Sequence, residues 1–432
     1  MLQKYLVDGG SVAWLRRGEG MVGLGRFACA EVAGPAEADA WWSRFVAGVD
    51  HRSELAGVAG TGPLAFGSFT FDPGNTTAVS RLLVPRVIIG RRDGRAWLTV
   101  LGNESAGLAE LVAAQASVEG AEAPAIAPSA ALRLAGLIEA AGSPHPVPTG
   151  WTGAVRAPRD VRLDADAADE DRWLRRVAEA VHRIESNGLE KVVLARSVIA
   201  EAAEPIDVRH LVDVLARDYP GCWTFSVDGL VGASPEMLVR RERGLATSRI
   251  LAGTIRRTGS EETDLKLAGA LARSSKNLAE HELAVESVAE ALAPLCSGMN
   301  VPESPYVLEL PNVLHLATDV TAVAHKKASA LRLAAALHPS AAVCGTPTSV
   351  ARAAIAELEG LDRGRYSGPV GWIDSRGDGE WAIALRCGMV DAADPRRIEL
   401  FAGCGIVEGS DPDEELAETK AKLVPMVSAL LG

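Results

Sequence analysis

Apolar residues recur along this chain with two periods, and the change of period divides it. Residues 1 to about 105 alternate and are punctuated by glycine, as in "GPLAFGSFTFD" and "LLVPRVIIGRRDGRAWLTVLG", where Asp93-Gly94 marks a hairpin. Residues 105–150 turn to Ala/Pro/Ser-rich sequence, which predicts a helix followed by a loop or linker. From about 160 a helical period takes over. Trp173, Val177, Val181 and Ile184 lie on one face, and Asn187-Gly188 supplies a stop. This helix feeds the strand "LEKVVLARS", in which Lys191 shares a face with Val193 and Ala195.

A meander follows, with turns at Asp228-Gly229 and Arg243-Gly244, and then two helices over about 262–273 and 275–294. A long hairpin closes around Gly377-Asp378-Gly379, with "WAIALRCGMV" as one strand. The chain ends as a strand, a glycine loop and a helix. Hairpins and meanders imply antiparallel pairing, so the expected class is α+β: large antiparallel sheets with flanking helices. The expected organisation is an N-terminal β-rich portion (1–155) and a catalytic portion (156–432), intertwined as one domain.

Composition narrows the functional classes. The 432 residues carry a net charge of −12 with no basic stripe, which argues against nucleic acid as a partner. An anionic small molecule would need local positive charge or a metal. Six cysteines stand singly, with no zinc-type spacing, and suggest buried thiols in a reducing compartment. The N-terminus has no signal-peptide pattern and no apolar run is long enough to span a bilayer, so the expectation is a cytoplasmic protein with no membrane partner.

Several residues stand out chemically. Gly18-Glu19-Gly20-Met21-Val22-Gly23 fits G-x-G-x-x-G, but "LGRFACAEV" after it reads as strand rather than as the helix that phosphate binding requires. Glu415, Glu418 and Lys422 fall on one face of the final helix, which Ser410 or Asp411 can cap. Two carboxylates there can hold a hard cation, or can be an acidic first turn favoured by the helix dipole. Glu280 is either another such carboxylate or the partner of Lys276 in an i,i+4 pair, and His281 reads as a satisfied helix residue. Arg386 shares a strand face with small residues, which leaves room for a planar anion or a salt-bridging acid. Ala402 to Gly405 ("AGCG") and Gly253-Thr254 are expected to offer backbone N–H groups to a carboxylate. Glu236, after Ser234-Pro235, could form an acid–base pair with Lys191 across a pocket. A lysine acts as a base only in its neutral form, which burial or nearby cations favour.

The ordered strings "KVVLARS", "GASPEML", "LAGT", "KNLAEH", "LHLATDV", "LHPSAAVCGTP", "LDRGRYSGPVGW", "GDGEWAIALRC", "AGCGIVEGSDP" and "ETKAKL" resemble the chorismate-utilising enzymes. These include isochorismate synthase, salicylate synthase, anthranilate synthase component I and aminodeoxychorismate synthase. The resemblance covers about 160–430, with an echo in "FGSFTFD", and implies a fold like that of anthranilate synthase component I. Ammonia-adding members have glutamine where this chain has Lys191, and aminodeoxychorismate synthases have a nucleophilic lysine where it has Ala252. The 361–387 stretch looks most like isochorismate synthases.

The resemblance implies that Lys191 activates water for attack on C2 of chorismate while Glu236 protonates the departing C4 hydroxyl. It implies Mg²⁺ held by Glu280 and Glu418 with Glu415 in support. Arg386 would hold substrate carboxylate, with Tyr366, Gly253, Gly403, Gly405, Thr254, His315 and Lys422 lining the site. Ala342 and Val343 would sit where pocket shape separates isochorismate from salicylate formation. Isochorismate synthases tend to have Ala followed by Leu there, so Val343 leaves some pyruvate-releasing activity open. The other readings are a salicylate synthase and a catalytically silent chorismate-binding subunit. A monomer is expected by resemblance, and the product could feed menaquinone or siderophore synthesis.

Overall fold

The computed structural model describes residues 2–6, 10–55, 57–102, 154–164, 167–186, 188–310 and 313–432. The helix and linker expected over 105–150 and the Asn187 stop lie outside them, apart from Gly188.

Among the described residues two antiparallel sheets carry the fold. One runs in the order Gly345–Thr346, Lys191–Glu201, Arg397–Val407, Cys387–Val390, Leu230–Ser234, Trp223–Val227, Ser11–Arg16, Glu19–Leu24, Val87–Arg92, Arg95–Val100, with Arg162–Asp164 also on the lysine strand. The other runs Cys296–Asn300, Val313–Ala324, Leu245–Arg256, Met237–Glu242, Gly379–Ile383, Pro369–Asp374, Leu64–Ser68, Ser80–Val84, Ala28–Val32, with Tyr306–Glu309 on the Val313–Ala324 strand. Both sheets draw strands from each end of the chain. Ser11–Arg16 is hydrogen-bonded to Trp223–Val227, and Leu64–Ser68 to Pro369–Asp374.

The sheets face one another across a shared core that includes Trp14, Phe66, Phe225 and Trp381. Trp14 Nε1 crosses it to donate to Glu380 Oε2 at 2.8 Å, satisfying an indole that burial would otherwise leave unpaired. Side chains on the lysine strand alternate as a half-buried strand requires. Val192 and Leu194 pack with Trp173 and Val177, while Val198 and Ala200 pack with Leu211, Leu215 and Met426. Those partners lie on the helices Ala167–Ser186, Val208–Asp218 and Pro412–Leu431. Lys191, Val193 and Ala195 turn to the opposite face. The final helix starts as its sequence suggests: the Asp411 carboxylate accepts from the N–H groups of Asp413 and Glu414, and Pro412 follows in the first turn. Among the described helices none is long and apolar enough to cross a membrane, and all six thiols are free.

Gly18–Gly23 belongs to the hairpin of Ser11–Arg16 and Glu19–Leu24, in keeping with its reading as strand rather than as a phosphate-binding loop. Two expectations change. Ala402–Gly405 is not a loop: it lies inside Arg397–Val407, in register with Arg196, Ala195, Leu194 and Val193 of the lysine strand. "WAIALRCGMV" is not one strand. Gly379–Ile383 ends in one sheet, and Cys387–Val390 begins in the other. Arg386, with φ 49°, makes the bend between them.

Candidate active site

The break at Arg386 has a partner. Leu230–Ser234 lies in the first sheet and Met237–Glu242 in the second, so the chain also changes sheets at Ser234-Pro235-Glu236. The two crossovers run side by side and are tied together. Ser234 Oγ donates to Ile383 O at 2.6 Å, Ile383 N donates to Glu236 O at 3.1 Å, and Ala233 N donates to Arg386 O at 3.1 Å. These bonds satisfy backbone groups that leave one sheet before joining the other. They also place Glu236 and Arg386 in the gap between the sheets.

That gap holds a cavity of about 70 Å³ lined by Lys191, Glu236, Gly253, Thr254, His315, Ala342, Val343, Tyr366, Arg386, Gly403, Gly405, Glu418 and Lys422. It therefore gathers the expected acid–base pair and every expected substrate-lining residue. Glu415 is buried one helical turn before Glu418, behind the wall. Glu280 lies on the helix Ser275–Leu292, which packs on the strand carrying Gly253, but its side chain is outside the described residues, as is that of Lys276. Among the described residues no three His, Cys, Asp or Glu side chains converge as metal ligands.

Each wall has a local cause. Lys191 heads its strand opposite Val407 and is only 2 % exposed. The residues facing Val193 and Ala195 are Gly405 and Gly403, which clears space beside them. A Cβ on Gly403 would lie 2.6 Å from Leu194 O and 3.2 Å from the Tyr366 hydroxyl, so this close approach excludes any larger residue. Gly253 (φ +79°) sits at a bulge in Leu245–Arg256, where the register against Val313–Ala324 shifts between Ala252 and Thr254. The bulge sets Thr254 opposite His315, and Thr254 Oγ1 lies 3.0 Å from His315 Nδ1. Tyr366 is held by stacking on Phe401 at 5.1 Å. Lys422 Nζ donates to Gly403 O at 2.8 Å and lies 2.5 Å from Glu418 Oε1.

Burial without full pairing shifts the titration of these groups. Glu236 is pushed up to about 7, chiefly by burial. Lys191, the Leu251 N–H, Arg386 and Lys422 pull the other way. His315 is held well below its ordinary value by burial and by the charges of Arg386 and Lys422, so its ring is neutral. Burial also lowers Arg386, against the pull of Tyr366, Cys222, Glu418 and Glu236. Glu415 is raised by burial and then by Glu418. Glu415 and Glu418 therefore repel across one helical turn, and Glu418 is also paired with Lys422.

His281 is satisfied as expected, with Nε2 2.7 Å from Thr318 Oγ1 and Nδ1 3.3 Å from Ala252 O. Sequence reasoning did not single out Val193, Pro235, Leu251, Ser367 and Leu385 as lining residues. The apolar character of Val193, Pro235, Leu251 and Leu385 gave no sign that they border a cavity rather than a core.

The family described as chorismate binding enzyme matches residues 152–431. Isochorismate synthase MenF of Bacillus subtilis is 38% identical over 272 residues, which is 62% of this chain and 57% of that protein's length. The match thus spans little more than half of that relative. MenF of Escherichia coli, the menaquinone-specific isochorismate synthase, superposes with a TM-score of 0.75 at 25% identity over 99% of this chain and 90% of its own. Anthranilate synthase component I of Streptococcus pneumoniae superposes with a TM-score of 0.65 at 20% identity, over 97% and 90% of the two chains, a likeness of fold.

Proposed function

Because this chain belongs to the chorismate-binding enzyme family, we propose that it is an isochorismate synthase, converting chorismate to isochorismate by adding water at C2 with loss of the C4 hydroxyl. The observation that carries this reading is the presence of Lys191 and Glu236 on the walls of one cavity. The curated and solved relatives named isochorismate synthase support it.

In the proposed reaction the Lys191 amine takes a proton from water as its oxygen bonds to C2. The ring double bonds shift, the C4–O bond breaks, and Glu236 gives its proton to the departing hydroxyl, which leaves as water. The carboxyl of Glu236, pushed up to about 7, retains its proton at a pH where an ordinary glutamate has lost it. Arg386 can grip a substrate carboxylate with its planar fork. The backbone at Gly253, Gly403 and Gly405 allows a flat ring to approach closely. Neutral His315 and Thr254 would meet the substrate as hydrogen-bonding groups without adding charge.

Magnesium belongs to the same proposal. Glu418 and Glu415, with Glu280 from the helix Ser275–Leu292, would hold it. When bound it would neutralise substrate carboxylate in a protein of net charge −12. Residence in the cytoplasm and a monomeric state are further parts of the proposal.

Chorismate incubated with the protein, with and without EDTA, and products separated by chromatography, tests the reading. Isochorismate as the main product, lost with EDTA and restored by Mg²⁺, is expected. Salicylate with equimolar pyruvate would favour a salicylate synthase, and no turnover with added Mg²⁺ would reject catalysis.

A further inference from the structure

The lysine strand has an unusual edge. Arg397–Val407 covers one side along its whole length. On the other side Gly345–Thr346 pairs with Lys191 and Val192, Val193 N donates to Cys344 O at 2.9 Å, and Arg162–Asp164 pairs with Ile199, Ala200 and Glu201. Between these short partners a buried ion pair takes the place of a strand. Arg363 Nη2 donates to Val193 O at 2.7 Å, and Glu359 Oε2 accepts from Ala195 N at 2.9 Å. The two side chains bind each other at both ends, with Nε to Oε1 at 2.7 Å and Nη2 to Oε2 at 2.6 Å. Arg363 Nη1 reaches the other cavity wall and donates to Val343 O at 2.9 Å. Its guanidinium also lies over Phe71, 4.2 Å from the ring centre. Both side chains are almost wholly buried.

We propose that Arg363 and Glu359 are positioning residues that fix the spacing between the strand carrying Lys191 and the segment carrying Ala342 and Val343. This rests on the functional reading above. One planar fork spans both walls, so neither moves without breaking one of its bonds. An isolated buried ion pair is a poor source of stability, because desolvation offsets much of its attraction. Its bonds to two backbone segments are what a packed apolar pair could not supply. Lysine could not replace the arginine, since its single ammonium cannot reach Val193 O, Val343 O and both Glu359 oxygens together.

Two variants test this beside the wild type: Arg363→Lys, and the double variant Glu359→Met/Arg363→Met, which removes both charges and so avoids leaving one unpaired. Each is assayed for kcat and KM with chorismate and for amide exchange at Ala195. The expected result is a kcat loss on the order of 100-fold, as for a displaced reacting group, with KM little changed and Ala195 exchanging faster in both variants. A folded variant with wild-type kcat would overturn the proposal. So would failure of both variants to fold, which would assign the pair to folding alone. Absence of isochorismate formation by the wild type would instead remove the functional reading, and the exchange at Ala195 would still judge the clamp.

Discussion

Two cavities lie against the same sheet, and they differ in the opposite sense to their sizes. The larger, a groove of about 1070 Å³, runs past Ile199, Arg397 and Glu399 and reaches the far side of Tyr366 and Phe401. Two of its acids are paired with arginines. Asp228 accepts from Arg81 at 2.8 Å and Arg365 at 2.9 Å, and Asp207 from Arg209 at 2.6 Å. Burial would raise both acids, but their arginine partners more than reverse it and hold them below the ordinary range. In the 70 Å³ cavity the balance goes the other way, and burial keeps Glu236 high. Volume locates a surface feature. A carboxyl displaced towards neutral pH beside a cavity marks a candidate site.

The sharpest way to break this contrast is at Lys191 and Glu236. Lys191→Gln should abolish isochorismate formation while leaving the circular dichroism spectrum unchanged; near-normal product would reject the base. Glu236→Gln should lower kcat by roughly 10²–10⁴-fold, the range for a lost general acid. The pH profile is a milder probe. Glu236 must be protonated to act, so kcat should fall as pH rises through about 7, and this limb should be absent from any residual rate of Glu236→Gln. The raised pKa has a stability counterpart. The unfolded glutamate releases its proton near 4.5 and the folded one near 7, so this group's contribution to stability declines as pH rises through that window. The smallest catalytic effect belongs to the groove. Asp228→Asn should lower stability by about 1–3 kcal/mol, a buried-pair loss discounted because Arg81 and Arg26 are partly exposed. Its kcat should stay at the wild-type value; a large loss would mean the two cavities are coupled through Tyr366.

The contrast also separates what was legible in the sequence. Lys191 and Glu236 could be read because a charged residue in an apolar strand, and a carboxylate after Ser-Pro, are locally odd. Helical spacing put Glu415, Glu418 and Lys422 on one face, and only the family resemblance pointed that face at a site. The breaks between sheets were not legible. Alternation continues unbroken through "WAIALRC", and nothing local announces that Arg386 will take a left-handed conformation. "AGCG" resembled a loop because glycines favour turns, yet here they clear room beside Val193 and Ala195 within a paired strand. Glu359 and Arg363 have i,i+4 spacing, but the helix ends at Leu358. Their role comes from backbone groups about 165 residues away in sequence, Ala195 among them, which no local pattern encodes.

The paired crossovers at 234–236 and 384–386 have a mechanical consequence. The groups proposed as base and acid are rooted in different sheets, with Lys191 in one and Glu236 at the entrance to the other. Their separation is therefore a reading of how the two slabs are seated. A slip of one slab over the other, caused far away by a mutation, heat or a crowded neighbour, would detune the reaction before it unfolded anything.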